Sequence, residues 1–247
     1  MAETAPPDTT AGRPYGGQSP DVRRAERRQR LLDAGLELYG TVGYRGTSVA
    51  MLCRQAKVAP AKFYEEFLSQ EELLRELCTQ MVAAESAAVL AAVAEAPVDI
   101  YARCRAGIGA YCHALLDDDR RARIQFVEGS GVSAAAEATR RALLGGFGGL
   151  ILGQFGSFGV DTAPDTAAGA RSRVVATGLV GAVHEAIVHR LFEAAPIPIE
   201  DFIDILTGIF VAVGTWLVAP PSPFPEVDRR EDLDRRATKT ERRSSDF

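Results

Sequence analysis

The sequence predicts an all-α protein built from an N-terminal three-helix helix-turn-helix head and a larger C-terminal helical body. Three observations carry that prediction. Alanine and leucine are abundant, while β-branched residues are scattered rather than alternating, which favours helices over strands. Apolar residues recur at i, i+3, i+4 and i+7 through one segment after another. Charge is divided between the two parts: nine positive and four negative side chains lie between Asp21 and Lys62, a net of +5, so the rest of a chain of net charge −5 carries −10. A basic end on an acidic body steers a polyanion to one place on the molecule, although a solvated helix face is the commoner meaning of a charge run. With 247 residues, 25% charged and 47% hydrophobic, the chain has material for a sizeable core and the balance of a globular protein.

Taken in order, residues 1–20 (MAETAPPDTTAGRPYGGQSP) hold little to bury and predict a disordered tail. A first helix spans about 21–40, its stripe formed by Leu31, Ala34, Gly35, Leu38 and Val42; "TVGY" ends it, with Gly43 suited to a positive φ. A second begins at "GTS", with Thr47 as N-cap and Val49, Leu52, Cys53 and Ala56 as its apolar face. The third is short. Pro60 fits a first helical position, and Phe63, Tyr64 and Phe67 supply contacts. Helices two and three, so closely spaced, predict a helix-turn-helix unit over 21–67.

The body is expected over 68–219. A long helix covers about 69–95, opened by Ser69 and Glu72 at capping-box spacing and ended before Pro97. Further helices are expected near 98–116, 120–128, 133–156, 165–193 and 199–218. The run "GGFGGLILGQFG" (145–156) is costly in a helix, about 0.5–1 kcal/mol per interior glycine, which points to distortion, close helix approach or a cavity. Residues 220–247 begin with PPSPFP and carry seven positive and seven negative side chains, which predicts a solvated tail.

Several classes are disfavoured. Cys53, Cys78, Cys104 and Cys112 show no CxxC spacing, and His113, His184 and His189 show no ligand spacing, so neither metal, cofactor nor disulfide is called for. The N-terminus lacks a signal pattern, and the most apolar stretches, 179–188 and 202–218, are broken by polar residues and glycines. A cytoplasmic protein off the membrane is expected. No nucleophile elbow, phosphate loop, HExxH or dinucleotide fingerprint is present, and no enzyme is expected.

"RLLDAGLELYGTVGYRGTSVAMLCRQAKVAPAKFYEEFLSQEELL" (30–74) resembles the DNA-binding domain of TetR-family transcriptional regulators, through Leu31–Leu32, Leu38–Tyr39, Gly43–Tyr44, Thr47–Ser48–Val49, Phe63–Tyr64, Phe67, Ser69, Glu71 and Leu73–Leu74. "FVEG" (126–129) is similar to the family's sixth helix. The resemblance implies a homodimer on palindromic double-stranded operator DNA, and a repressor released by a small apolar effector. The third helix would enter the major groove with Ala59, Pro60, Ala61 and Lys62 near base edges. Thr47, Ser48 and Tyr64 would meet phosphate, Tyr64 having a core-aromatic alternative. Arg45, Arg54, Lys57 and the Arg23–Arg30 cluster would add charge. Lys57 stands where the family prefers glycine, Ala59 where it prefers a Ser or Thr cap, Glu65 where histidine is common and Gln70 where lysine is common.

In the body, Tyr111, Gln125, Glu128, Phe147 and His184 are candidate pocket residues. The last two long helices would form a four-helix dimer interface, with Val180, Val183, Ile187, Ile209 and Trp216 as candidates. An all-helical protein-interaction adaptor without specific DNA binding remains the alternative; it accounts for the acidic body but not for the ordered motif of the head.

Overall fold

The computed structural model describes residues 19–128 and 133–218, and the two expected tails fall almost wholly outside them. Among the described residues all regular structure is helical. The helices are α1 (Pro20–Thr41), α2 (Val49–Ala56), α3 (Pro60–Glu66), α4 (Gln70–Glu95), α5 (Ile100–Leu116), α6 (Asp119–Arg123), α7 (Ala134–Ser157), α8 (Ala167–Phe192) and α9 (Ile199–Val218). A π-helical turn, Ile124–Glu128, continues α6.

Side-chain caps set most of the starts. Ser19 Oγ accepts from Val22 N at 3.2 Å, so α1 begins inside the stretch expected to be tail. Ser48, not Thr47, caps α2, accepting from Met51 N at 3.3 Å. Thr47 is buried and turns its hydroxyl back to Gly43 O at 2.8 Å. Ser69, Asp99 and Thr166 cap α4, α5 and α8.

One hydrophobic cluster holds the head together. Leu31, Leu32, Tyr39, Leu52, Phe63 and Phe67 pack with Leu73, Leu74, Leu77 and Met81, so the head's core runs well into α4. A second cluster fills the body between α5, α8 and α9, around Cys112, Leu115, Ile187 and Ile203. α1 docks on α6 at Gly40, where an added Cβ would lie 2.4 Å from Arg120 Cβ; any larger residue would force the two helices apart. Gly43 turns the chain after α1 at φ +89°.

The glycines of α7 behave differently from the expectation. Gly145, Gly146, Gly148, Gly149 and Gly153 have open space where a Cβ would stand, so they neither allow close approach nor line a cavity. The helix runs through them without a break. By length and composition α4, α8 and α9 are each apolar enough to cross a membrane, contrary to the reading of the apolar stretches above; in this fold each contributes buried residues to one of the two clusters.

Candidate functional site

The first part of the site is the outer face of the helix-turn-helix. Arg45, Ser48, Arg54, Lys57, Ala59, Pro60, Ala61, Lys62 and Tyr64 are all exposed; Thr47 is not, and its hydroxyl is already bonded, which removes its side chain from any phosphate contact. Tyr64 is 59% exposed and rests edge-on against the buried Phe63 ring at 5.3 Å, so it is no core aromatic. Lys57 ends α2 in the left-handed region at φ 53°, ψ 46°. That conformation costs a lysine about 1 kcal/mol and aims the side chain outward between α2 and α3. Ala59 gives α3 no side-chain cap.

Charge at this end is more internally committed than the count suggested. Glu66 is a buried carboxylate that accepts from Arg27 Nε at 2.9 Å and Arg24 Nε at 3.1 Å. Burial alone would raise its pKa, but the two guanidiniums overcome this and hold it below the usual range. Arg28 reaches the Glu76 carboxylate and lies over the Phe67 ring at 4.1 Å. Arg24, Arg27 and Arg28 thus latch α1 to α3 and α4. Lys62 Nζ is paired with both oxygens of Glu65, at 2.8 and 2.9 Å. Gln70 is structural too: its Nε2 donates to Tyr44 O at 2.9 Å.

The second part is a cavity of about 120 Å³ in the body, open at its mouth and walled by α4, α5, α7, α8 and Phe210 of α9. Tyr111, Phe147 and His184 line it, and Gln125 lines an adjoining space of about 40 Å³ that shares Tyr111, Leu144 and Phe147. The walls are apolar apart from a few groups, among them Arg103 and Gln154, which the sequence reading passed over. An arginine on a helix reads as surface; the available signal was the i, i+4, i+8 spacing of Arg103, Gly107 and Tyr111 on one face.

Glu128, expected in the pocket, is elsewhere. Its carboxylate accepts from Tyr44 N at 2.8 Å and stands 3.0 Å from where a Gly43 Cβ would be. The π turn carrying it touches everything that matters. Ile124 is wholly buried in the head's core. Gln125 Nε2 donates to Glu85 Oε1 at 2.6 Å. Phe126 meets the His184 ring edge-on at 4.8 Å, on the cavity wall. Four residues therefore span cavity, α4 and head.

The candidate interface residues divide. Val180 and Val183 line the cavity and Ile187 is fully buried in the body's core, so these three face inward. Ile209 and Trp216 are 42% and 43% exposed, and with Ile205 and Val174 they leave an apolar outer face on α8 and α9. Gly178, Gly181 and Gly208 on that face have nothing where a Cβ would stand.

The helix-turn-helix head has the form of a DNA-binding domain, and it stands on a hollow helical body. Residues 31–77 match the family model described as bacterial regulatory proteins, tetR family, so the head is a DNA-binding domain of that kind. No curated protein sequence matches it significantly. Among solved structures it is similar to the fatty acid degradation regulator FadR of Bacillus halodurans, with TM-score 0.66 at 14% identity, over 78% of this chain and 96% of that one. It is also similar to FadR of Bacillus subtilis, solved in complex with stearoyl-CoA, with TM-score 0.63 at 16% identity, over 74% and 97%. PfmR of Thermus thermophilus, a TetR-family transcriptional regulator, matches with TM-score 0.56 at 18% identity, over 74% and 97%. Identities this low establish the shared fold.

Proposed function

We propose that the protein is a cytoplasmic, non-enzymatic homodimeric repressor that leaves a palindromic operator when a small apolar molecule fills the body cavity. The observation that carries this reading is the π turn 124–128, which puts a cavity-wall contact (Phe126 on His184) and a head contact (Glu128 on Tyr44 N–H) four residues or fewer apart. A ligand that displaces His184 moves Phe126, and Phe126 shares its short segment with the group that fixes the turn before α2. The head then tilts, and two heads that matched successive major grooves about 34–36 Å apart no longer do. The ligand must favour the released arrangement by its own contacts, typically by about 1–3 kcal/mol.

The other parts fit. The exposed face of α3 offers Lys62 to a guanine edge or a phosphate and offers alanine methyls to thymine. The outer faces of α8 and α9 supply apolar area with glycines for close packing of a second copy. The Bacillus subtilis relative of the same fold was solved with an acyl-CoA, which supports an elongated apolar ligand here.

Fluorescence anisotropy with DNA from upstream of the chain's own coding sequence tests the reading, alongside scattering mass and a thermal-shift panel of hydrophobic compounds. Expected are a dimer, salt-sensitive and sequence-preferring binding, and at least one compound that both raises the melting temperature and releases the DNA. A monomer without preference for any fragment would leave the adaptor reading in its place.

A further inference from the structure

The cavity carries one charge that its own fold does not neutralise. Arg103 and Arg105 stand two residues apart on α5. Arg105 points outward and is paired twice, with Glu200 at 2.9 Å and Asp204 at 3.0 Å. Arg103 points to the cavity. Its Nε is buried without a partner, its Nη1 has only a long bond of 3.4 Å to Ser157 Oγ, and its guanidinium lies 5.7 Å from the Phe158 ring centre. Among the described residues no carboxylate lies within ion-pair distance of it, whereas Arg24, Arg27, Arg28 and Arg120 each have one. On the facing wall of α7, Gln154 Oε1 is also buried without a partner. A turn of that carboxamide would present its NH2 group to the same spot.

Donors left unsatisfied against an apolar wall are unfavourable, and an anion accepting from a guanidinium makes some of the strongest hydrogen bonds available to a protein. Away from Arg103 the cavity is walled by Ile108, Leu144, Phe147, Ile151 and Val183. From Arg103 to Tyr111 is eight residues of helix, roughly 12 Å, and the adjoining space continues beyond Tyr111 and Phe147. One end of the cavity is therefore cationic, and the other is long and apolar.

We propose that the effector is an aliphatic amphiphile with an anionic head, its carboxylate or acyl-linked anionic group held by Arg103 with Gln154, and its chain laid along α5 and α7 toward Phe147. This rests on the ligand-responsive reading of the same cavity and names its ligand class.

The test uses the delipidated full-length protein and calorimetry with dodecanoate, 1-dodecanol and dodecanoyl-CoA, on wild type, Arg103→Gln and Arg103→Met, with DNA binding measured separately. Dodecanoate, or dodecanoyl-CoA if the natural head is a thioester-linked anion, binds wild type roughly tenfold or more tighter than the alcohol. Both Arg103 variants lose that preference while retaining the alcohol's affinity. Equal binding of acid, CoA ester and alcohol overturns the proposal, as does a preference that survives both substitutions or the failure of all three to bind. In each case intact operator binding by the same preparation leaves the regulator reading standing; loss of operator binding in wild type is the separate result that would remove it.

Discussion

Lys62 and Glu65 lie one helical turn apart on the exposed side of α3, and their pairing decides how the reading face meets DNA. Nζ lies within 2.9 Å of both carboxylate oxygens, so Lys62 must give up this partner to reach a base or a phosphate. The pair is half-exposed and worth little by itself, but Glu65 also places a negative charge beside the phosphates. Glu65→Gln therefore should tighten operator binding by up to roughly tenfold and steepen the dependence of log K on log salt by about one unit. Anisotropy titrations across a salt series measure both, and an unchanged slope would place the pair outside the interface. Lys62 was legible in the sequence as a contact because it sits just inside a short helix after a tight turn. Its partner is three residues on and was legible only as a departure from the family pattern. The latch of Glu66 to Arg24 and Arg27 bridges 42 and 39 residues; nothing local in the sequence encodes such a pairing, which is why those arginines read as loose charge.

At the level of elements, the contact of the π turn with α4 is where the body is least settled. Glu85 is completely buried on α4. Gln125 donates to one of its oxygens, the other has no partner, and Arg121 Nη2 stays 3.9 Å away. Cys78, on the same helix, and Tyr111, on α5, also feel its charge. Burial pushes the Glu85 carboxyl up to about 7, against the smaller opposing pull of Gln125 and Arg121. A carboxyl raised in the folded state binds a proton that the unfolded chain has already lost. Its contribution is complete below the unfolded pKa near 4.5 and disappears as pH climbs through about 7, up to about 3 kcal/mol in all. Denaturant melts should show stability falling between these values, and Glu85→Gln should flatten that fall and leave the variant the more stable at pH 8. A slope that survives in the variant would assign it to another group. The helices themselves were readable to within a residue or two from 3.6-residue spacing, caps and prolines. The π turn was not, because "RIQFVE" has ordinary helical composition and the widened turn comes from what Ile124, Gln125, Phe126 and Glu128 must reach in four different neighbours. The cavity escaped for a related reason: its wall is spread over five helices, and the glycines that hinted at room in α7 face outward.

At the scale of the whole molecule, head and body share the core that runs into α4, and the polar contacts at its edge bear on whether occupancy below is felt above. Arg120 joins Asp118 to Glu37 of α1, Ser133 Oγ donates to Glu71 of α4 at 2.6 Å, and Glu128 holds the Tyr44 N–H at 2.8 Å. The first two attach helices that could move together with the body. The third grips the turn between α1 and α2 at Tyr44 N–H, beside the bond from Gln70 Nε2 of α4 to Tyr44 O, and it belongs to the same short segment as Phe126, which meets the cavity-wall ring of His184. Glu128→Gln keeps an acceptor for Tyr44 N–H but removes its charge, and Glu128→Ala removes both. Bonds to a charged acceptor are worth about 1.5–3 kcal/mol, comparable to the whole coupling expected between ligand and DNA. Both variants should still fold and bind operator, while the factor by which ligand weakens that binding should shrink in the order wild type, Gln, Ala, to roughly a tenth of its original size in the last. Coupling is reciprocal, so the same loss must show when calorimetry compares ligand binding with and without operator DNA, using a compound that raises the wild-type melting temperature. If Glu128→Ala responds to ligand as fully as wild type, the signal crosses through α1 and Arg120 instead.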